Sequence, residues 1–148
     1  MDTFDQRLWQ TCEAQYARHK DLCLELQNKY QINVNLLLLA WYLDGQDSGL
    51  EPEQWQGLTD TIQSWEDRLL TPYRRLRQLG KPNMTEDEYQ KMLDVELTLE
   101  RKAQQMILRQ LNQQEIHHPS HNLRNYLALF NLDENSVAEL SADASLLA

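Results

Sequence analysis

The stretch from Asn33 to Leu43, NVNLLLLAWYL, limits the fold of this chain more than any other segment. Wound as an α-helix, its middle part, Leu36 to Trp41, points apolar side chains in every direction, and such a helix has to be surrounded. The apolar run from Leu36 to Leu43 is far shorter than the ~18 to 20 residues a membrane span requires. Other helices of the same chain must therefore cover it, with Asn33 as its N-terminal cap.

The remaining sequence supplies such helices. Four glycines and four prolines among 148 residues, abundant Leu, Gln, Glu and Arg, and no alternating Val/Ile/Thr run favour helix throughout. The expected fold is all-α, a compact single-domain bundle of five to six helices around the buried helix at about 33–43. Phe4, Leu8, Cys12 and Tyr16 keep helical spacing after a Thr3/Gln6 capping box, which predicts a first helix over 4–18. A break near His19 separates it from a short second helix over Asp21 to Tyr30. Asp44 to Pro52 reads as a loop. Beyond it, Leu58, Ile62, Trp65, Leu69, Tyr73 and Leu76 form one amphipathic stripe, crossed by a Pro72 that should kink or divide the helix. Thr85 and Glu88 form a second capping box, opening a long helix to about Gln114. Ser120 is the expected cap of a last helix carrying Leu123, Tyr126, Leu127 and Phe130. Residues 1–130 make up the expected domain. Residues 131–148 form an acidic tail, with a short helix at 134–140 followed by disorder.

Charge and cysteine usage narrow the function. A net charge of −9 argues against nucleic acid and against anionic membrane surfaces, both of which reward clustered Lys and Arg. Cys12 and Cys23 are too few for a disulfide framework or a zinc site and read as small buried hydrophobes in a reducing compartment. The amino-terminal MDTFDQRLW lacks the features of a signal peptide. The expected location is cytoplasmic. No cofactor is implied: phosphate-binding Gly-rich loops and a Gly-x-Ser-x-Gly elbow are absent.

The long helix contains the main chemical oddity. Glu96 and Glu100 fall within its apolar face, among Tyr89, Met92, Leu93, Ala103, Ile107 and Leu111. Two like charges four residues apart repel, and burying either unpaired would cost several kcal/mol. The favoured compensation is an arginine from Arg68, Arg74, Arg75 or Arg77 on the preceding helix. The alternative is a ligand or metal site, or the site of a small-molecule or metal-dependent enzyme, using Glu96 and Glu100, with Gln27, Asn33 and Asn35 completing a polar pocket. The structural reading of those three amides is capping and satisfaction of backbone groups. Glu115 with His117, His118 and His121 reads as a solvated turn rather than a metal site.

The stretch LCLELQNKYQINVNLLLLAWYL, residues 22–43, resembles the signature of a bacterial family labelled domain of unknown function 2390. FDQRLWQTCEAQY, WEDRLLTPYRRLRQLGK and ELTLERKAQQMIL are similar to that family too, so the resemblance spans about residues 4–111. Where family members often place a glycine-aspartate before Val-Asn, this chain has Gln31, Ile32 and Asn33. The resemblance implies a small cytoplasmic proteobacterial protein and, because the family has no established activity, assigns no chemistry.

The function expected from these readings is protein interaction or scaffolding rather than catalysis, with a protein partner or a homodimer through an exposed helix face. Trp55 and Trp9 are the expected interface aromatics, since large aromatics are enriched at hot spots when they are not core. Trp65, on the stripe, is expected in the core.

Overall fold

The computed structural model describes residues 4–140. These form seven α-helices: α1 (Arg7–Arg18), α2 (Lys20–Tyr30), α3 (Val34–Gly45), α4 (Pro52–Trp65), α5 (Thr71–Gly80), α6 (Glu86–Leu111) and α7 (Asn122–Ala128). Thr3, the expected first cap, lies outside the described residues. The break at His19 is present, its backbone leaving helical geometry at φ −128° between α1 and α2.

Helix α3 lies at the centre, as its sequence demands. Leu36, Leu37, Leu38, Leu39, Ala40, Trp41 and Leu43 are all buried. The Asn33 side chain accepts a hydrogen bond from the Leu36 amide at 3.1 Å and caps the helix. Helices α1, α2 and α7 pack against α3, while α4 packs on α6 and α7. The core is completed by Leu58 and Ile62 of α4, Ala103, Ile107 and Leu111 of α6, and Leu123, Tyr126 and Leu127 of α7. Val137 and Leu140 are buried as well, so the chain beyond residue 130 returns to the core. The disorder expected beyond residue 140 falls outside the described residues.

The two tryptophans expected at an interface belong to this core instead. Trp9 and Trp55 are buried, Trp55 completely. Trp55 stacks at a tilt on Tyr126, with ring centroids 5.4 Å apart, and its indole N–H donates to Asn122 Oδ1 at 3.2 Å. Its flanking glutamines suggested exposure, but position 55 shares the inward face of α4 with Leu58 and Ile62. Trp65 is only half-buried, and its indole N–H donates to the Leu99 carbonyl at 3.0 Å.

Helix α7 is capped from a distance. Ser120 does not cap it; the Asp44 carboxylate at the end of α3 accepts from the amides of Asn122 (2.8 Å) and Leu123 (3.1 Å). An acid placed against these free N–H groups also complements the helix dipole. Asn122, buried, then ties the preceding loop together, accepting from the Leu50 amide and donating to the Ser48 carbonyl.

The expected interruption near Pro72 takes an informative form. The chain stays helical from α4 into α5, but Glu66–Leu70 is a π-helical turn in which the Thr71 amide donates to the Glu66 carbonyl, five residues back. Pro72 has no N–H and its ring crowds the carbonyl four residues earlier, so the helix widens just upstream. One extra residue per turn rotates everything after it by about 100° relative to an uninterrupted α-helix. The stripe read through Leu58, Ile62, Leu69 and Leu76 is therefore broken. Leu70 is buried in place of Leu69, whereas Leu69, Leu76 and Leu79 are 41%, 58% and 71% exposed. Tyr73 keeps an inward position, and Arg74 and Arg77 join it facing α6.

Candidate functional site

The rotated helix forms one wall of a polar cleft of about 750 Å³ between the body of the bundle and the seam of α5 with α6. Of the sequence-derived candidates, Gln27, Asn33, Asn35, Glu96 and Glu100 all line it. Residues from separate segments of the chain thus share one space. Glu66 joins them, delivered by the π turn.

The carboxylates are compensated by arginines, as the apolar face of α6 required. Arg74 Nη2 donates to Glu100 Oε1 at 3.0 Å, and the same guanidinium lies 3.8 Å from Glu96 and 3.7 Å from Glu66. Arg77 Nε donates to Glu96 Oε1 in a short contact, and its Nη1 donates to the Tyr89 hydroxyl at 2.7 Å. Arg74 and Arg77 supply this compensation, while Arg68 and Arg75 remain exposed. Tyr73 donates its hydroxyl to the Met92 carbonyl at 2.7 Å, and Trp65 reaches Leu99. The seam between α5 and the first half of α6 is consequently directional and polar. No residue of α5 is fully buried.

Asn33 joins three elements. Besides capping α3, its side-chain N–H donates to Glu66 Oε1 at 3.2 Å, and its backbone N–H donates to the Tyr126 hydroxyl at 3.2 Å. The Gln104 amide donates to Asn35 Oδ1 at 3.4 Å. Burial raises the affinity of Glu66 for its proton, and Arg74 and Asn33 oppose this in part. Cys12 also lines the cleft, but burial pushes its thiol up to about 12, and Cys23 is raised to about 11. Neither sulfur carries the thiolate that nucleophilic chemistry needs. Among the described residues, no group of three or more His, Cys, Asp and Glu is arranged to hold a metal ion. His117 serves the backbone, exchanging hydrogen bonds with Gly49.

Residues 7–107 match the family described as protein of unknown function (DUF2390). The chain belongs to that family. No curated protein and no solved structure matches it. The DUF2390 match begins with α1 and closes within α6, so it takes in α2 to α5, the π turn and nearly every residue of the cleft.

Sequence reasoning missed Glu66 and the outward turn of Leu69, Leu76 and Leu79. A signal was present in the adjacent leucines Leu69 and Leu70 just before Pro72. Where a proline disturbs the hydrogen-bond ladder, either member of such a pair can become the core residue.

Proposed function

We propose that this chain is a cytoplasmic protein-interaction module whose contact surface is the outer face of α5. The observation that carries this reading is the π turn. It gives the inward positions of α5 to Tyr73, Arg74 and Arg77 and leaves Leu69, Leu76 and Leu79 in solvent. Exposed apolar side chains grouped on one helix mark interaction sites. Among the described residues the exposed large hydrophobics are Leu69, Leu76, Leu79, Val95 and Leu97, all on α5, α6 or the π turn. Among the described residues, the body exposes no comparable group. In this reading Glu96 and Glu100 hold α5 to α6 through Arg74 and Arg77, Asn33 and Asn35 tie that arm to the body through Glu66 and Gln104, and Gln27 lines the same cleft. Buried, unpaired thiols accord with a reducing compartment. Among the described residues, no helix is long and apolar enough to cross a membrane.

A photo-crosslinking side chain at position 76, compared in cells with one at exposed Gln56 on α4, tests the surface. The expected result is a discrete adduct from position 76 alone, lost when Leu79→Glu is added. Equal labelling from both positions would remove α5 as the contact surface.

A further inference from the structure

The pattern on α5 specifies the chemistry of its partner. Pro72, Leu76 and Leu79 of α5 follow one another at spacings of four and three, Leu69 of the π turn precedes them by three, and all four are exposed. That is the a/d spacing of a helix-packing seam, about 15 Å long at 1.5 Å per residue. Arg68 and Arg75 each stand one residue before a leucine at an a position, which makes them g residues flanking the seam. Both are exposed, and neither has an ion-pair partner among the described residues. Arg74 and Arg77, by contrast, are engaged by the glutamates of the cleft.

On the basis of the interaction reading above, we propose that this face docks an amphipathic helix of another protein, one whose apolar stripe is flanked by aspartate or glutamate. Apolar stripes meeting in register bury the leucines, while carboxylates opposite Arg68 and Arg75 set orientation and exclude basic competitors. A second copy of this chain fits poorly. Pairing α5 with α5 antiparallel sets g residues against g residues, arginine against arginine. The exposed Val95 and Leu97 of α6 are two residues apart, so they point to different sides of the helix and form no seam. An anionic membrane is opposed by the exposed Glu86, Asp87 and Glu88 at the tip of the same arm and by the net charge of −9.

The test uses the full chain and two labelled three-heptad helical peptides, both with leucine at a and d, one with glutamate and one with lysine at e and g. Fluorescence anisotropy should show saturable binding of the glutamate peptide and at least about tenfold weaker binding of the lysine peptide. Arg68→Glu with Arg75→Glu should invert that preference, and Leu76→Glu should abolish binding of both while the far-UV spectrum and urea midpoint stay unchanged. Indifference to peptide charge would overturn the acidic partner. So would a concentration-dependent dimer in sedimentation that Leu76→Glu dissolves, or binding to phosphatidylglycerol vesicles that the same substitution removes. If neither peptide binds while the adduct at position 76 persists, α5 remains the contact surface and the acidic helix is excluded.

Discussion

Around α3 each packed neighbour contributes leucine, tryptophan or tyrosine to one filled core. Between α5 and the first half of α6 the facing groups are Tyr73, Arg74 and Arg77 against Tyr89, Met92, Glu96 and Glu100. The first region is held by apolar burial, which is strong but indifferent to direction. The second is held by hydrogen bonds and charge pairs, which are weaker in net effect but strict in geometry. The contrast shows why one chain needs both. A core of leucines makes the body fold, whereas a polar seam lets an arm that buries little keep one orientation.

Removing a core aromatic should produce the largest effect. Trp55→Ala deletes a completely buried indole that packs on Tyr126 and donates to Asn122, and it should cost about 3–5 kcal/mol in urea unfolding. A loss below about 1 kcal/mol would mean that the body does not depend on its apolar packing, and the contrast with the arm would collapse.

A smaller and more local effect is expected at the seam. Glu96→Ala leaves the Arg77 guanidinium, whose side chain is 15% exposed, with the Tyr89 hydroxyl but no carboxylate hydrogen-bonded to it. The expected loss is about 1–3 kcal/mol, the cost of an unsatisfied and mostly buried polar group. Hydrogen exchange locates it: α5 amides should exchange faster while those of α3 keep their protection. Equal acceleration in both helices would show that the arm and body unfold as one unit, and the seam would lose its separate role.

The sequence made the body far more legible than the arm. Eleven residues from Asn33 to Leu43 were enough to place a capped and fully buried helix, because apolarity on all sides has a single physical outcome. The Thr85 and Glu88 capping box marked the start of α6 for a similar reason: both of its hydrogen bonds are local. The need of Glu96 and Glu100 for arginine could also be read, since a charge on an apolar face demands a partner whatever the fold. The arm escaped because helical spacing was extended through Pro72 at 3.6 residues per turn, while the chain inserts a π turn at Glu66–Leu70 and shifts the register by one residue. That single shift accounts for Leu69 and Leu76 being expected inside and found outside. Trp55 failed differently. Its polar neighbours Gln54 and Gln56 point to exposure, but residues adjacent in a helix face different ways and do not share an environment. The capping of α7 by Asp44 could not be read locally at all, because the acid and the amides it serves are 78 and 79 positions apart.

The smallest effect, and the finest probe of the seam, is the pH response of Glu66. Burial is the leading influence on this carboxyl and raises its pKa above the ordinary 4.5, with Arg74 and then Asn33 pulling the other way. The folded chain therefore holds this proton more tightly than the unfolded chain does. The stability linked to it is fully present below the ordinary value and is lost as pH rises through the raised folded value. Glu66→Gln keeps an oxygen able to accept from Asn33 but carries no charge at any pH, so it removes this dependence. Other carboxylates shape the total acid response, and the useful quantity is accordingly the difference in urea midpoint between the variant and the parent. That difference should move in favour of Glu66→Gln as pH climbs from about 4 and level off once Glu66 is ionised in both folded and unfolded chains. Movement in the opposite direction would mean that the pull of Arg74 exceeds the cost of burying the charge. The seam would then stabilise its acids outright, as an exposed ion-pair network does, and the difference between arm and body would be one of kind of residue rather than of how each region tolerates burial.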